Sequence, residues 1–387
     1  MIKKLVLVLI VVIAYHSHAQ QGTASPYSFY GIGSLKFKGT VENRSMGGLS
    51  IYTDSSHVNL RNPAGYVGPD IKSYPFSGES RAVKLAVGGS YSADKLVSNT
   101  GSDKANTTTF DYLAVSMPIG KFGVGFGLLP YTSVGYKLES TNDTGQLTNR
   151  FKGEGGLNKV FFGLGYKINK KFSAGIDVSY NFGNIQNSSL AFSYDNNGDP
   201  VQYQSRENNR SDLSGLNFNL GLSYKTMLND KLELTSGLTY SPISNITSNN
   251  TRSFSTVVVN PTTGLDFPIN TIEVDLEARN LKTTDLTLPS RFSFGAGIGA
   301  PKKWFAGTEL TLQNTSQFSN PIFTVSNAKF VNSSNISIGG FFIPDYNSFS
   351  KYWKRVVYRG GFHFENTGLE INNETINEFG MSFGLGL

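Results

Sequence analysis

The chain of 387 residues contains no cysteine and few charged residues. Without cysteine, neither a disulfide framework nor a thiolate metal site is available. The formal net charge is +6, but the basic residues are scattered along the chain. Scattered charge does not form the basic stripe that marks a nucleic-acid interface. The composition therefore excludes a disulfide-stapled domain, and it predicts no nucleic-acid partner.

Long hydrophobic runs are missing after the first residues. Lys3 and Lys4 precede an apolar run from Leu5 to Ala14, and Ser17-His18-Ala19 supplies the small residues of a cleavage site. This pattern predicts a secretory signal peptide over residues 1–19, cleaved before Gln20. No later run approaches the 18 apolar residues of a transmembrane helix. The mature chain is therefore predicted to be exported, either as a soluble protein or as a β-barrel.

A catalytic constellation is also missing. His16 and His18 leave with the signal peptide, so His57 and His363 are the histidines that remain. Neither histidine lies in the spacing of a Ser/His/Asp triad or of a metal site. We therefore expect no enzyme activity, no catalytic residue, no metal and no cofactor.

What the chain does have is an excess of glycine and aromatic residues, with 42 Gly, 28 Phe and 19 Tyr. From Phe172 to Phe182 apolar residues alternate with Ser, Gly, Asp and Asn, and residues 216–225 repeat the pattern. A transmembrane barrel strand needs this alternation, because one face meets lipid and the other meets the lumen. The predicted fold class is all-β, a transmembrane antiparallel β-barrel.

Short turns with lysine separate paired strands, as at residues 118–121, 169–171, 229–231 and 301–303. Longer polar stretches, roughly residues 140–158, 184–211, 241–289 and 313–333, are predicted to be loops on the other side, outside the cell. About twelve strands fit residues 76–387, the predicted barrel. The last strand ends at Leu387 without a terminal aromatic residue, so we expect the full barrel to have further strands.

Residues 20–75 do not alternate, and they have little apolar surface of their own. We expect this segment to fold as an N-terminal plug inside the barrel. The chain here resembles the FadL/TodX-type outer-membrane transporters of long-chain fatty acids and hydrocarbons, in the divergent form found among Bacteroidetes. The residues that carry the resemblance are Arg44-Ser45-Met46-Gly47-Gly48, Asn62-Pro63-Ala64-Gly65, Pro289-Ser290-Arg291 and the closing Phe379-Gly380-Met381-Ser382-Phe383-Gly384.

The resemblance implies a barrel of about fourteen strands, of which about twelve lie in this sequence, with a hatch in its lumen. It also implies a kinked third strand through which a hydrophobic ligand leaves sideways. The corresponding residues here are Gly127, Pro130 and Tyr131, where proline removes a ladder hydrogen bond and glycine weakens pairing. A proline at the extracellular end of the strand, above the membrane, is the alternative.

The predicted hatch and ligand-channel residues are Arg44, Gly47, Gly48, Asn62, Pro63 and Ala64. For Arg44 three interpretations stay open: a surface charge, a pair with an acid such as Glu42 or Asp54, or a contact with a ligand carboxylate. For residues 62–64 the alternative is a plain Asn-Pro turn.

The predicted function is an outer-membrane channel for passive uptake of hydrophobic small molecules, fatty acid-like or hydrocarbon-like, gated by the plug and the third strand. Its expected partners are that ligand and the outer-membrane lipid. The alternative is a barrel that does not transport but acts as a partner in protein secretion or surface assembly. That alternative requires a protein partner, whose identity the sequence does not give.

Overall fold

The computed structural model describes residues 22–54, 56–67, 83–98, 101–322 and 327–387. The predicted signal peptide (residues 1–19) and the last part of the predicted plug (residues 68–75) lie outside these ranges, so the boundary at residue 75 stays a prediction. Within the described ranges, no helix has the length and apolar character needed to cross a membrane.

Antiparallel strands make up nearly all of the described chain. In chain order they are β1 (Ser34–Leu35), β2 (Lys84–Val97), β3 (Ser102–Ile119), β4 (Phe122–Pro130), β5 (Thr132–Thr141), β6 (Leu147–Lys167), β7 (Phe172–Ala191), β8 (Gln204–Met227), β9 (Glu233–Ser241), β10 (Ser244–Val259), β11 (Asp266–Glu273), β12 (Thr283–Leu288), β13 (Arg291–Ala300), β14 (Trp304–Gln313), β15 (Ala328–Phe330), β16 (Ser333–Phe342), β17 (Val357–Ile371) and β18 (Glu374–Gly386).

Three pairs of strands are single wall strands with a short interruption, namely β4 with β5, β9 with β10, and β12 with β13. Counted in this way, twelve wall strands follow one another by hydrogen-bonded register from β2 to β18. The described residues give no pairing between β2 and β18. The predicted all-β antiparallel barrel is confirmed, and each of the predicted strands has a counterpart.

Alternation of side chains explains why these segments form the wall. On β7, the outward residues Phe172 and Tyr180 are 46% and 49% exposed, whereas the inward residues Asp177 and Asn181 are 1% and 0% exposed. Apolar groups thus cover the outside of the barrel, and polar groups point into it. This is the inverse of a water-soluble protein and is the arrangement that a lipid environment favours.

Large parts of the first three long polar stretches are strands, and for those parts the prediction of loops was wrong. Residues 192–203, 260–265 and 314–322 lie between the strands. β6 begins at Leu147, β7 runs on to Ala191, and β10 continues to Val259. Their registers are continuous, as between Asn187 and Asn209. Above the apolar band both faces of a strand meet water, so alternation is not required there and the sequence pattern fades.

Residues 22–67 lie within the barrel and carry the helix α1 (Val41–Ser45), a 3₁₀ helix (Pro63–Val67) and β1. Their apolar side chains pack on the inner wall in three clusters. Ile32 packs with Val134, Tyr136 and Leu157 of the wall. Val58, Leu60 and Tyr66 pack with Tyr112, Leu129 and Phe161 of the wall. Met46, Leu49 and Ile51 pack with Phe305 and Phe341. The segment therefore has no core of its own, and the barrel supplies one. We call residues 22–67 the plug.

Candidate functional site

Two glycines end helix α1 and bring the plug against the wall. Gly47 and Gly48 have φ angles of 70° and 94°, which side chains with a Cβ rarely adopt. The Gly47 N–H donates to Ser382 Oγ at 2.8 Å. A Cβ on Gly47 would strike the backbone of Phe362. Both glycines are therefore required by the turn, and Gly47 also by the close approach to β17 and β18.

Arg44 forms its ion pair with the wall and not with an acidic residue of the plug. Its Nη1 lies 3.4 Å from Asp111 Oδ2 on β3, and its guanidinium lies 5.2 Å from the centre of the Phe37 ring. The pairing with an acidic residue was expected, but Glu42 and Asp54, the acids named for it, were wrong. Those two carboxylates face His57, at 3.5 Å and 2.6 Å.

The Asn62-Pro63-Ala64 segment anchors the plug in the wall. Asn62 Nδ2 donates to the Leu222 carbonyl at 2.8 Å, and Asn62 Oδ1 accepts from the Ala64 N–H at 3.0 Å. Pro63 starts the 3₁₀ helix, and its backbone lies against Gly165 and Gly175, where a Cβ would collide with it. All three residues are buried.

Buried ionic and polar contacts join plug and wall at two further places. Ser50 donates from its N–H and its hydroxyl to Glu309 at 2.7 Å and 3.0 Å, and Arg61 Nη2 lies 3.4 Å from the same carboxylate. The Tyr66 hydroxyl donates to Asp177 Oδ1 at 2.9 Å. The plug is thus tied to the wall by hydrogen bonds as well as by packing.

The third wall strand is interrupted where the sequence predicted a kink. β4 ends at Pro130, Tyr131 lies outside both strands, and β5 begins at Thr132. β4 pairs with residues 113–119 of β3. Within the described residues, the remaining part of β3, residues 102–112, pairs with β2 alone. β5 instead pairs with β1 of the plug, Ser34 opposite Ser133. The plug strand β1 therefore lies beside the start of β5, where β3 no longer pairs with the third wall strand.

The glycines before the interruption do not weaken pairing, because both registers of β4 are continuous there. Gly123 and Gly125 face Tyr66 of the plug, and Gly127 faces the Phe161 ring. Their lack of a side chain leaves room for the plug. Pro130 is in register with Asn158 and, through it, with Phe182, the last outward apolar residue of β7 before Gly183. The interruption thus lies at the rim of the apolar band and not at its middle.

A large chamber of about 1160 Å³ lies between the plug and the wall. Its lining is mostly polar, and includes Lys36, Asp94, Asp111, Arg291 and Glu365. Of the six predicted hatch residues, Arg44 and Gly48 line this chamber. Gly47, Asn62, Pro63 and Ala64 do not, because they are packed into the wall.

A smaller space of about 70 Å³, which we call the inner cavity, lies behind the interruption. Its lining includes the apolar groups of Leu129, Pro130, Tyr131 and Leu288. It also includes five cationic side chains, those of Lys36, Lys38, Arg61, Lys159 and Arg291. Gly127, the remaining residue predicted for the kink, does not line it.

Lys38 and Lys159 are the most unusual charges of the inner cavity. Burial lowers the pKa of Lys38 to about 8; Asp177 opposes this shift, and Arg291 and Arg61 add to it. Lys159 is 4% exposed, and its Nζ lies 4.1 Å from the centre of the Tyr131 ring. Buried cations of this kind cost free energy unless an anion or a dipole compensates them.

Sequence reasoning did not identify Lys38, Tyr66, Lys159, Asp177 or Glu309 as site residues. The last three have a visible signal, because each is a charged residue on the inward face of an alternating strand. Lys38 and Tyr66 have none, since the plug has no periodic pattern. His363 points inward and contacts Glu378 at 3.1 Å. In the described ranges, no group of three or more histidine or acidic residues could hold a metal ion.

Comparison with known proteins gives both a family and a fold. The family model described as BamG matches residues 1–387. None of the curated proteins matches the chain.

Among solved structures, the chain is similar to a FadL homologue of Pseudomonas aeruginosa, with a TM-score of 0.54, 14% identity and coverage of 92% of this chain and 87% of the other. The CymD monoaromatic hydrocarbon channel gives a TM-score of 0.53 at 13% identity, covering 91% and 89%. The Pseudomonas putida toluene transporter TodX gives 0.51 at 14% identity, covering 91% and 90%. The resemblance to the FadL/TodX type is thereby confirmed at the level of the fold.

Proposed function

From the premise that the chain belongs to the BamG family and folds as a plugged barrel of the FadL type, we propose that it lets hydrophobic small molecules pass the outer membrane. The ligand would be fatty acid-like or hydrocarbon-like, and passage would be passive. Solved relatives of this fold include a toluene transporter and a monoaromatic hydrocarbon channel. The proposal includes export through a cleaved signal peptide, with the long strand ends facing outside.

The observation that carries this proposal is the interruption of the third wall strand at Tyr131. Backbone groups that lose their ladder partners at the edge of a membrane must face protein or water. At this place β1 of the plug pairs with β5, and the Lys36 N–H donates to the Tyr131 carbonyl at 2.9 Å. A movement of the plug would therefore free the edge of β5 and open the wall in one step.

The inner cavity lies directly behind this opening, and its apolar lining comes mainly from residues at the interruption. Leu129, Pro130 and Tyr131 come from the third wall strand, and Leu288 comes from β12. An apolar ligand would bind along this lining and leave at the rim of the apolar band, where the lipid begins. Because the large chamber has a mostly polar lining, the ligand would find its apolar contacts on the short path between the inner cavity and the interruption.

A disulfide that locks β1 to β5 tests the proposal, because the chain has no cysteine of its own. Ser34→Cys and Ser133→Cys replace two register partners with a side chain of similar size. We expect cells with the oxidised protein to take up less of a hydrocarbon such as toluene. Reducing the disulfide with a thiol reagent should restore uptake.

The matched control joins two paired strands that do not have to part. Ser255→Cys and Thr271→Cys replace register partners on β10 and β11 whose hydroxyls are 2.9 Å apart and which line neither the inner cavity nor the large chamber. Oxidation of this pair should leave uptake unchanged. Equal uptake by the oxidised and reduced forms of the Ser34 and Ser133 variant would show that the plug strand is not the gate.

A second function, as a partner in protein secretion or surface assembly, is favoured by β11. Within the described residues this strand pairs with β10 alone. Its side chains Phe267, Ile269 and Ile272 are 53%, 63% and 65% exposed. An edge strand with exposed apolar side chains is a surface on which another protein can add a strand.

This second function predicts a protein that co-purifies in stoichiometric amount with the full chain in mild detergent. Ile269→Asp and Ile272→Asp should release that protein without affecting the barrel. The same substitution at a lipid-facing position such as Phe294 would destabilise the barrel instead, so the β11 variants are the more selective ones. If no protein co-purifies with the unmodified chain, this candidate fails.

A further inference from the structure

We propose that the inner cavity is a binding site for a doubly charged oxyanion of the phosphate class. The proposal does not depend on the passage of hydrophobic molecules, because it rests on the charges and hydrogen-bond donors that line the inner cavity. A phosphate group reaches such a site either as the free ion or as the headgroup of an amphiphile.

Three cations of the inner cavity have no ionic partner in the part of the chain that the structure describes. Lys38, Lys159 and Arg291 line the cavity, and no carboxylate lies within ion-pair distance of any of them. Lys159 is 4% exposed. In the described residues, the one contact that stabilises its positive charge is with the face of the Tyr131 ring. Arg61, by contrast, is paired with Glu309 at 3.4 Å. An unpaired buried ammonium group is a feature that needs an anion.

The number of cations without an ion pair favours a dianion over a carboxylate. Five cations line the inner cavity, and no acidic residue does. Carboxylates outside the lining act on these cations: Asp94 and Asp111 on Lys36, Asp177 on Lys38 and Lys159, and Glu309 and Glu365 on Arg291. In the described residues none of them is within ion-pair distance of Lys38, Lys159 or Arg291. A phosphate monoester or hydrogen phosphate brings two negative charges to these three cations, whereas a single carboxylate brings one.

Neutral donors and size fit the same ligand. Hydroxyl and amide groups line the cavity between the cations; they belong to Tyr131, Ser179, Asn217, Asn219, Ser241 and Ser293. The volume of about 70 Å³ holds several water molecules or one small tetrahedral ion, since a water needs only about 10–15 Å³ on this measure. Phosphate oxygens can accept from cationic and neutral donors together.

The inner cavity adjoins the large chamber. The two spaces share lining residues, namely Leu35, Lys36, Lys38, Arg61, Arg291 and Gln313. A ligand in the chamber therefore meets the same lysine and arginine groups before it reaches Lys159. Burial is the main reason that the pKa of Lys38 falls to about 8, and the charges of Arg291 and Arg61 add to that shift.

The test is titration of the purified full chain with inorganic phosphate, in a phosphate-free detergent at neutral pH, followed by phosphorus NMR and calorimetry. We expect saturable binding at one ion per barrel. Lys159→Met and Arg291→Gln should each weaken it by at least about tenfold, because each removes a charge-assisted hydrogen bond. Lys159→Arg keeps the charge and should retain binding.

Lys152→Met is the matched control, because Lys152 is on the same strand as Lys159 but its side chain is 50% exposed and paired with Glu154. It should bind phosphate as the unmodified chain does. Lys38→Met tests the same cavity from the plug and covers the case in which a wall variant fails to fold. Absence of saturable binding, or equal affinity in Lys159→Met and Lys152→Met, would overturn the proposal.

A second titration separates the two sources of the phosphate group. Its probes are a single-chain lysophosphatidic acid and the neutral monoacylglycerol with the same chain. If the lysophosphatidic acid competes with phosphate and binds more tightly, the site accepts a lipid headgroup. If inorganic phosphate binds and the amphiphile does not compete, the ligand is the free ion. If the neutral monoacylglycerol displaces phosphate equally well, charge is not what the cavity recognises and the proposal is wrong.

Discussion

Glu309 explains how a charge is kept inside the barrel. Its side chain is 4% exposed and accepts hydrogen bonds from Ser50 while pairing with Arg61. Glu309→Gln would leave Arg61 buried without its counter-charge, and loss of one partner of a buried pair costs about 3 kcal/mol. We expect the free energy of plug opening to fall by that amount. Hydrogen exchange at the Ser50 amide measures it, as a loss of protection on the order of a hundredfold.

The control for Glu309 is an exposed carboxylate on the wall. Glu154→Gln removes the partner of Lys152, and both side chains are about half exposed. Exposed pairs contribute little, so exchange at Ser50 should not change. Equal protection in Glu309→Gln and the unmodified chain would mean that this carboxylate does not hold the plug.

At the scale of elements, the contact between helix α1 and residues 54–57 makes the plug sensitive to pH. Burial alone would lower the pKa of His57, but the hydrogen bond to Asp54 and the charges of Asp54 and Glu42 raise it overall. Burial would raise the pKa of Asp54, but His57 and backbone N–H groups lower it to about 2. The two side chains thus stabilise each other's charged forms.

The sign of the pH dependence follows from these directions. A raised histidine pKa gives stability that is complete below the unfolded value of about 6.5 and is lost as pH rises through the folded pKa. The Asp54 contribution is lost only as pH falls toward about 2. We expect the protection factor of the α1 amides, which is corrected for the intrinsic rise of exchange with pH, to fall as pH rises through the folded pKa of His57, and His57→Gln to remove that fall. A pH profile identical in both proteins would contradict this.

The third wall strand gives a prediction about Pro130, which lacks the N–H that a ladder residue donates. Pro130→Ala restores one donor, and this donor faces β3, because the next N–H along the strand, that of Tyr131, donates to the Leu157 carbonyl of β6 on the opposite side. A hydrogen bond that contributes about 1 kcal/mol to the closed wall would lower the fraction of molecules with an open wall roughly fivefold. Uptake of toluene should fall by a similar factor, with Pro118→Ala at the turn end of β3 as the control. Unchanged uptake in Pro130→Ala favours the alternative, a proline above the membrane.

The wall was predictable from sequence because each of its strands carries its own signal. Alternation at residues 172–182 follows from the two environments of β7 and needs no other part of the chain. The polar ends of the strands were missed because both faces meet water there. The glycines of β4 were misinterpreted, since their role depends on Tyr66, which is distant in sequence but fills the space beside Gly125.

On the scale of the whole molecule, the plug and the inner cavity could not be predicted in the same way. Residues 20–75 were expected to fold inside the barrel because they lack apolar surface, and this reasoning names no contacts. The pairing of Arg44 with Asp111, and the meeting of Lys38 with Lys159, join segments more than 60 residues apart. Such contacts depend on how the strands curve around the plug and not on local pattern.

The central claim is that the barrel holds a hydrophobic small molecule on its way through the lumen. The most direct measurement is mass spectrometry of the full chain released from mild detergent, with identification of whatever remains bound. The account predicts a hydrophobic small molecule near one per barrel, lost in the Ser34 and Ser133 disulfide variant when it is oxidised before exposure to ligand. An empty lumen, together with a second protein that co-purifies in stoichiometric amount, would contradict this claim. It would favour the alternative function as a partner in protein secretion or surface assembly.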